Sequence, residues 1–269
     1  FIDDAKKESI ESILDAIQMK NDGITGAVVI AGCLSQLYKE EMAREFPEAD
    51  AVIGIGANCD IVAVVEKVLG AEKVVSYPPR EELPLCGTRL LTTPPYWTYL
   101  KIAEGCSNHC SYCVIPTIRG EFRSRKMDDI LEEAERLAAS GVKELVLIAQ
   151  DTTAYGRDLY GSLKLPELLD RLSEIRGIEW LRLLYCYPEN ITEELLEVMA
   201  SNRKVLHYLD LPLQHADDKI LNAMNRPGSA AEIAALIQRI RDRIPDIALR
   251  TTFICGFPGE GDTELENLA

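Results

Sequence analysis

Apolar positions recur along this chain in two alternating periods. Helical spacing runs through Ile10, Ile13, Leu14 and Ile17 and breaks at Asn21-Asp22-Gly23. Ala27 to Ala31 reads as a short buried strand ending at Gly32-Cys33, and the spacing predicts a polar-faced helix from Gln36 to Phe46. A strand at Ala51 to Ile55 and a helix at Ile61 to Leu69 follow. Such alternation predicts a parallel sheet with helices on both faces, a three-layer α/β domain over residues 1–77. Gly54, Gly56 and Asn58 match a phosphate loop only loosely, and a plain turn accounts for them. Residues 78–95 hold Pro78, Pro79, Pro84, Pro94 and Pro95 with little periodicity, which reads as an extended linker.

From Tyr96 the alternation resumes and repeats to residue 269. Strands are expected at Tyr96 to Ala103, Glu144 to Ala149, Trp180 to Tyr187, Val205 to Leu211 and Ile247 to Cys255. Between them lie helices at Asp128 to Ala139, around Leu168, Leu169, Leu172 and Ile175, from Thr192 to Met199, and up to Arg243. Ser229-Ala230-Ala231-Glu232 is a capping box for the last of these. Polar or cysteine-bearing loops follow each strand, at Cys106, Gln150-Asp151, Tyr187-Pro188, Gln214-His215 and Gly256. Repeated β–α units whose functional residues gather at strand C-termini follow the logic of a barrel. With five strands and no sixth, the expectation is a partial barrel.

Composition adds three constraints. The chain of 269 residues is 47% hydrophobic and 27% charged, an ordinary globular balance. Asp and Glu outnumber Lys and Arg by 44 to 29, a net charge of −15, which argues against a phosphate-binding surface and for a basic protein partner. No apolar run reaches membrane-spanning length and no signal-peptide pattern opens the chain, so a cytoplasmic location is expected. Eight cysteines in that setting read as free thiols or metal ligands rather than disulfides.

Three of them lie in Glu104-Gly105-Cys106-Ser107-Asn108-His109-Cys110-Ser111-Tyr112-Cys113, spaced C-x3-C-x2-C at the end of the first barrel strand. Thiolates suit iron–sulfur clusters. A cubane held by three protein ligands keeps one iron open, as a catalytic zinc keeps an open position. The rival is a zinc site with His109 as fourth ligand, which would make the chain a zinc-stabilised binding module. It needs adjacent His109 and Cys110 on one tetrahedral metal, and no second C-x2-C or H-x3-H pair follows.

The spacing, with Tyr112 just before the last cysteine, resembles the signature of the radical S-adenosylmethionine (SAM) enzymes. Ile115-Pro116-Thr117-Ile118-Arg119-Gly120, Arg123-Ser124-Arg125, Ala149-Gln150-Asp151-Thr152-Thr153 and Ile254-Cys255-Gly256-Phe257-Pro258-Gly259-Glu260 resemble the methylthiotransferase branch. Within it, Leu211-Pro212-Leu213-Gln214-His215, Arg250-Thr251-Thr252-Phe253-Ile254 and Phe1-Ile2-Asp3-Asp4-Ala5-Lys6-Lys7-Glu8-Ser9 are similar to the subgroup that modifies an aspartate of a small-subunit ribosomal protein. The tRNA-modifying subgroup is the alternative.

The resemblance implies a partial (β/α)6 radical-SAM barrel and a 4Fe–4S cluster on Cys106, Cys110 and Cys113. SAM would bind the open iron and give an adenosyl radical that takes a hydrogen from the aspartate β-carbon. It also implies a second 4Fe–4S cluster in the first domain, of whose three ligands only Cys33 is matched. The other two would precede Phe1, so a fragment lacking the complete sulfur-donating cluster and the family's C-terminal β-barrel is expected. A second SAM as methyl donor and an electron donor such as flavodoxin or ferredoxin complete the implied partners. Tyr112, Gln150, Gln214, Gly256 and Glu260 are the candidate cofactor contacts. His215 is assigned to packing or substrate contact, Asp217-Asp218 to a solvated helix start, and Cys59 and Cys86 to no site.

Overall fold

A computed structural model describes all residues except Phe1, Cys86 and Thr88 and the side chain of Glu82. Cys86 therefore lies outside the described residues. The chain divides into two compact units. One runs up to Pro84 and includes Cys113–Gly120; the other comprises Leu85–Tyr112 and Glu121–Ala269.

The first unit opens with α1 (Asp3–Asn21), β1 (Val29–Ala31), α2 (Cys33–Tyr38) and α3 (Glu40–Glu45). Then come β2 (Ala51–Ile53), α4 (Ile61–Leu69) and β3 (Val74–Ser76), and the strands pair in parallel in the order β1-β2-β3. Side chains alternate across this small sheet. Ile30 and Val52 pack with Ile17, Leu34 and Met42 in one core, while Ala51 and Ile53 pack with Val64 and Val68 in another. Helices thus cover both faces, as the pattern predicts. The expected single helix from Gln36 is instead two, because Lys39 sits at φ 43°, ψ −118° and interrupts the ladder. At Gly56 an added Cβ would run into the Pro78 carbonyl oxygen, so the Gly54–Asn58 segment is a packed turn.

In the second unit, β4 (Trp97–Lys101) and β5 (Ala103–Glu104) lead into the cysteine loop. After it, α5 (Ile115–Arg119) belongs to the segment grouped with the first unit. The second unit continues with β6 (Arg123–Ser124), α6 (Met127–Ala139), β7 (Glu144–Ile148), α7 (Arg157–Tyr160), α8 (Leu165–Ser173) and β8 (Trp180–Leu183). Next are α9 (Glu193–Ser201), β9 (Val205–Asp210), α10 (Asp218–Ala223), α11 (Ala230–Arg243), β10 (Ala248–Arg250) and α12 (Asp262–Leu268). The main sheet is wholly parallel, ordered β4-β7-β8-β9-β10, so each strand lies beside its neighbour in sequence. This is the arrangement of a partial β/α barrel.

Leu100, Leu145, Leu147, Leu181, Leu183 and Leu209 turn one face of that sheet onto α6, α8 and α9. The opposite face carries polar side chains at matching heights. Arg182 donates to Glu144 at 2.6 Å and lies 5.1 Å over the Tyr208 ring. Helix starts are chemically marked. Thr192 caps α9, Asp217 caps α10 through the amides of Lys219 and Ile220, and Ser229 accepts from the Glu232 amide at 3.3 Å. No helix of the described residues is long and apolar enough to cross a membrane.

One buried ion pair fixes α6 against the strands that carry the cysteines. The Arg125 Nη1 lies 2.7 Å from Glu133 Oε2 and donates to the Lys101 carbonyl at 2.6 Å. Arg89 reaches the other carboxylate oxygen at 3.0 Å. Removing one partner strands a charge in low dielectric, whereas removing both need not. Arg125→Met should cost about 3–5 kcal/mol in chemical denaturation. The double variant Arg125→Met/Glu133→Leu should recover most of that loss.

Candidate functional site

The cysteine loop leaves β5 through Gly105, at φ 77°, and its geometry is set by two neighbouring loops. The end of α10 staples its far side. The Ser111 amide donates to the Met224 carbonyl at 3.0 Å, the Ser111 hydroxyl to the Ala223 carbonyl at 2.8 Å, and the Asn225 side chain to the His109 carbonyl at 2.9 Å. Asp151, just after β7, holds the near side. Its carboxylate accepts from Asn108 at 3.0 Å, Asn190 at 3.1 Å, the Thr153 hydroxyl at 2.7 Å and the Ala154 amide at 3.1 Å. The residue is buried, so these four donors replace its hydration.

Four non-glycine residues in these loops adopt left-handed backbone: His109 (φ 50°), Tyr185 (φ 58°), Gln214 (φ 73°) and Asn225 (φ 56°). Such conformations persist only where the surroundings over-determine them, and they gather at functional sites.

Within this frame Cys106 and Cys110 are buried, at 5% and 6% exposure. The Tyr187 hydroxyl lies 3.6 Å from the Cys110 sulfur and an Arg226 Nη 3.9 Å from it. Cys113 opens the segment grouped with the first unit, and the Ile115 amide lies 3.4 Å from its sulfur. Among the described residues no three His, Cys, Asp or Glu side chains are gathered to share one metal ion. His109 faces Glu121 instead, with Nε2 3.6 Å from the carboxylate. A single zinc ion requires its donors to converge on one point. A cubane instead takes one thiolate at each of several irons.

Tyr112 stands edge-on to Phe257 with centroids 6.5 Å apart, which brings the cysteine loop to the loop after β10. Gln214 exchanges backbone hydrogen bonds with Thr252 and Ile254, 2.9 and 2.8 Å, and so ties the ends of β9 and β10 together. Gly256, at φ 75°, has open space where a side chain would stand. His215 is fully buried and accepts from the Asp217 amide on Nδ1 at 3.0 Å. Its Nε2 lies 3.6 Å from Glu260, whose carboxylate also accepts from the Phe257 amide at 3.1 Å. Asp217 is the α10 cap, as its position suggested.

Among the described residues, two of these candidates carry a buried side-chain atom with no hydrogen-bond partner, Gln150 Oε1 and His215 Nε2. Buried orphan groups of this kind are expected where a polar ligand completes them. Together with two buried thiols, they fit a site for a cluster and a polar cofactor.

In the first unit, Cys33 begins α2 and receives a contact from Arg119 of α5, Nη to sulfur 3.3 Å. Cys59 and Cys255 are exposed, and burial pushes the Cys186 thiol far above its usual range. Arg226, Tyr187 and Asn190 were not singled out from sequence for the roles they play here. Each sits in an unremarkable polar turn and reaches the cysteine loop only through the fold.

Residues 100–269 match the family model described as the radical SAM superfamily. A curated relative from Lachnoclostridium phytofermentans, ribosomal protein uS12 methylthiotransferase RimO, is 50% identical over all 269 residues. The protein of the same name from Clostridioides difficile is 46% identical over 273 aligned positions. The chain spans 61% of the length of each. Among solved structures, the radical S-adenosylmethionine methyltransferase TsrM from Kitasatospora setae aligns with 90% of this chain and 52% of its own, TM-score 0.67 at 14% identity. The cobalamin-dependent S-adenosylmethionine radical enzyme OxsB aligns with 98% of this chain and 41% of its own, also at TM-score 0.67 and 14% identity. At that identity the likeness is one of fold.

The Asp151 network generates a direct test. Asp151→Asn is nearly isosteric, but its amide turns donors toward the donors of Asn108 and Asn190. The cost should be about 1–3 kcal/mol for each donor left unpaired. Hydrogen exchange should show the amides of residues 106–112 losing protection before those of the sheet.

Proposed function

The chain belongs to the radical SAM superfamily, and from that premise we propose that it acts as a methylthiotransferase on an aspartate β-carbon of ribosomal protein uS12. The observation that carries this reading is the 50% identity, sustained over the full 269 residues, to curated enzymes of that name. The site supports it independently. A buried pair of thiols, a third cysteine two residues beyond Ser111-Tyr112's start, and orphaned polar atoms at Gln150 and His215 suit a cluster with a polar cofactor.

In this reading Cys106, Cys110 and Cys113 would hold a 4Fe–4S cluster, which with SAM supplies an adenosyl radical able to take hydrogen from an unactivated carbon. The residues of this chain supply position and dryness. Asp151, Asn108 and the α10 staple hold the loop. Gln150, Gln214 and Gly256 would present a side-chain amide, a strained backbone and an open face to the cofactor, with Tyr112 beside Phe257 closing one flank. Glu260 would act through the Phe257 loop that it fixes. Cys33 would be a ligand of a second cluster, with Arg119 donating to its sulfur. An electron donor of flavodoxin or ferredoxin type and a cytoplasmic setting follow from the same reading. The net charge of −15 favours a cationic protein substrate over RNA, because an acidic surface repels phosphates and steers basic partners inward.

Two measurements test this. Cys106→Ala should abolish SAM cleavage by the anaerobically reconstituted protein, while Cys33→Ala should leave cleavage intact. Equal loss of cleavage in both would defeat the division of clusters. Given uS12 and unmodified tRNA separately, the full-length parent enzyme should place a methylthio group on an aspartate and none on adenosine, as read by mass spectrometry. The opposite outcome would move the chain to the tRNA-modifying branch.

A further inference from the structure

Among the described residues, the buried guanidinium of Arg226 in the second unit forms no ion pair. Arg226 follows α10 in the turn Asn225-Arg226-Pro227-Gly228 and is 4% exposed. One Nη donates to the Pro212 carbonyl at 3.0 Å, and the other stands 3.9 Å from the Cys110 sulfur. The guanidinium carbon lies 4.2 Å from the centroid of the Tyr187 ring. Among the described residues no carboxylate forms an ion pair with it. Glu189 acts on it through space, and burial pushes the Glu189 carboxyl upward, toward its neutral form.

A guanidinium taken out of water is costly unless an anion or several acceptors face it. The aromatic face of Tyr187 accommodates the cation without neutralising it. The anion that the geometry supplies is the Cys110 sulfur with whatever it ligates. The hydroxyl of the same Tyr187 lies 3.6 Å from that sulfur, so one thiol faces both a full positive charge and an O–H donor.

We propose that Arg226 and Tyr187 form a cationic cap on Cys110 that raises the reduction potential of the cluster bound there. The inference rests on the cluster assignment made above. Taking up one electron makes a cluster one unit more negative. A nearby cation and hydrogen bonds to the coordinating sulfur therefore stabilise the reduced form more than the oxidised one. In a water-excluded pocket that difference is only weakly screened. Arg226 is a positioning residue in this account, acting through Cys110 and touching no substrate.

A purely structural role, tying the Pro212 turn to the cysteine loop, would leave the potential unchanged once the cluster is loaded. The test is a one-electron redox titration followed by electron paramagnetic resonance. It uses reconstituted protein in a Cys33→Ala background, so that the loop cluster alone is read. Iron and sulfide content is measured on each sample.

Arg226→Gln should shift the midpoint to more negative values. At the potential where the parent is half reduced, its reduced-to-oxidised ratio should fall about tenfold, which for one electron corresponds to about 59 mV. Arg226→Lys keeps the charge and should recover most of the shift. Tyr187→Phe keeps the ring beneath the guanidinium, loads normally, and should show a smaller shift of the same sign. Where Arg226→Gln loads poorly, Tyr187→Phe decides: a negative shift supports the cap and an unchanged midpoint overturns it. Unchanged midpoints in loaded Arg226→Gln and Tyr187→Phe likewise overturn it. A parent protein that takes up no iron and sulfide overturns the cluster assignment itself, and the cap with it.

Discussion

A single buried carboxylate organises the strand-end loops of the second unit. Asp151 gathers donors from the cysteine loop, from the turn after β8 and from its own 3₁₀ turn. An acceptor with no water around it must find its hydrogen bonds in the protein, and donors facing it are equally committed. Such mutual obligation holds loops that have no regular ladder of their own. The α10 end adds the second anchor through Ser111 and Asn225. The thiol-bearing segment is thus fixed by polar contacts at both sides, while the leucine-rich face of the sheet supplies the stability beneath it.

The parallel sheet was legible in the chain because apolar strand runs alternate with helical spacing, each strand placing residues such as Leu145, Leu147, Leu181 and Leu183 in the core. Its strand ends were less so. The expected strand from Trp180 to Tyr187 stops at Leu183, since Tyr185 takes left-handed backbone and its amide turns to Asp210. The run from Ile247 to Cys255 keeps strand pairing over Ala248–Arg250 and then a single bridge at Phe253 to Gln214. In both cases tertiary hydrogen bonding at the strand end overrides local propensity. Lys39 broke the helix expected from Gln36 with no Gly or Pro to announce it.

The site divides along the same line. Three cysteines in eight residues are a local signal and need no fold to be seen. Arg226 lies 116 residues from Cys110, and Tyr187 lies 77 residues away. Neither carries a motif, and only the strand order that sets β8 beside β9 and places α10 after it brings them to one sulfur. Gln214 was visible as a polar residue after a strand. Its left-handed backbone, which ties β9 to β10, was not.

Charge acts in this molecule on two separate scales. The excess of 44 acidic over 29 basic residues belongs to the surface, where salt screens it beyond a Debye length of about 8–10 Å. That field governs which partners approach. Around Cys110 the balance is reversed, because a guanidinium excluded from solvent stands within 4 Å of the sulfur. At such range and low polarizability one local charge outweighs many remote ones. An acidic protein can therefore repel polyanions over its exterior and still present a cationic environment to a buried thiol. The two demands do not compete, since one is met by the surface composition and the other by a single turn after α10.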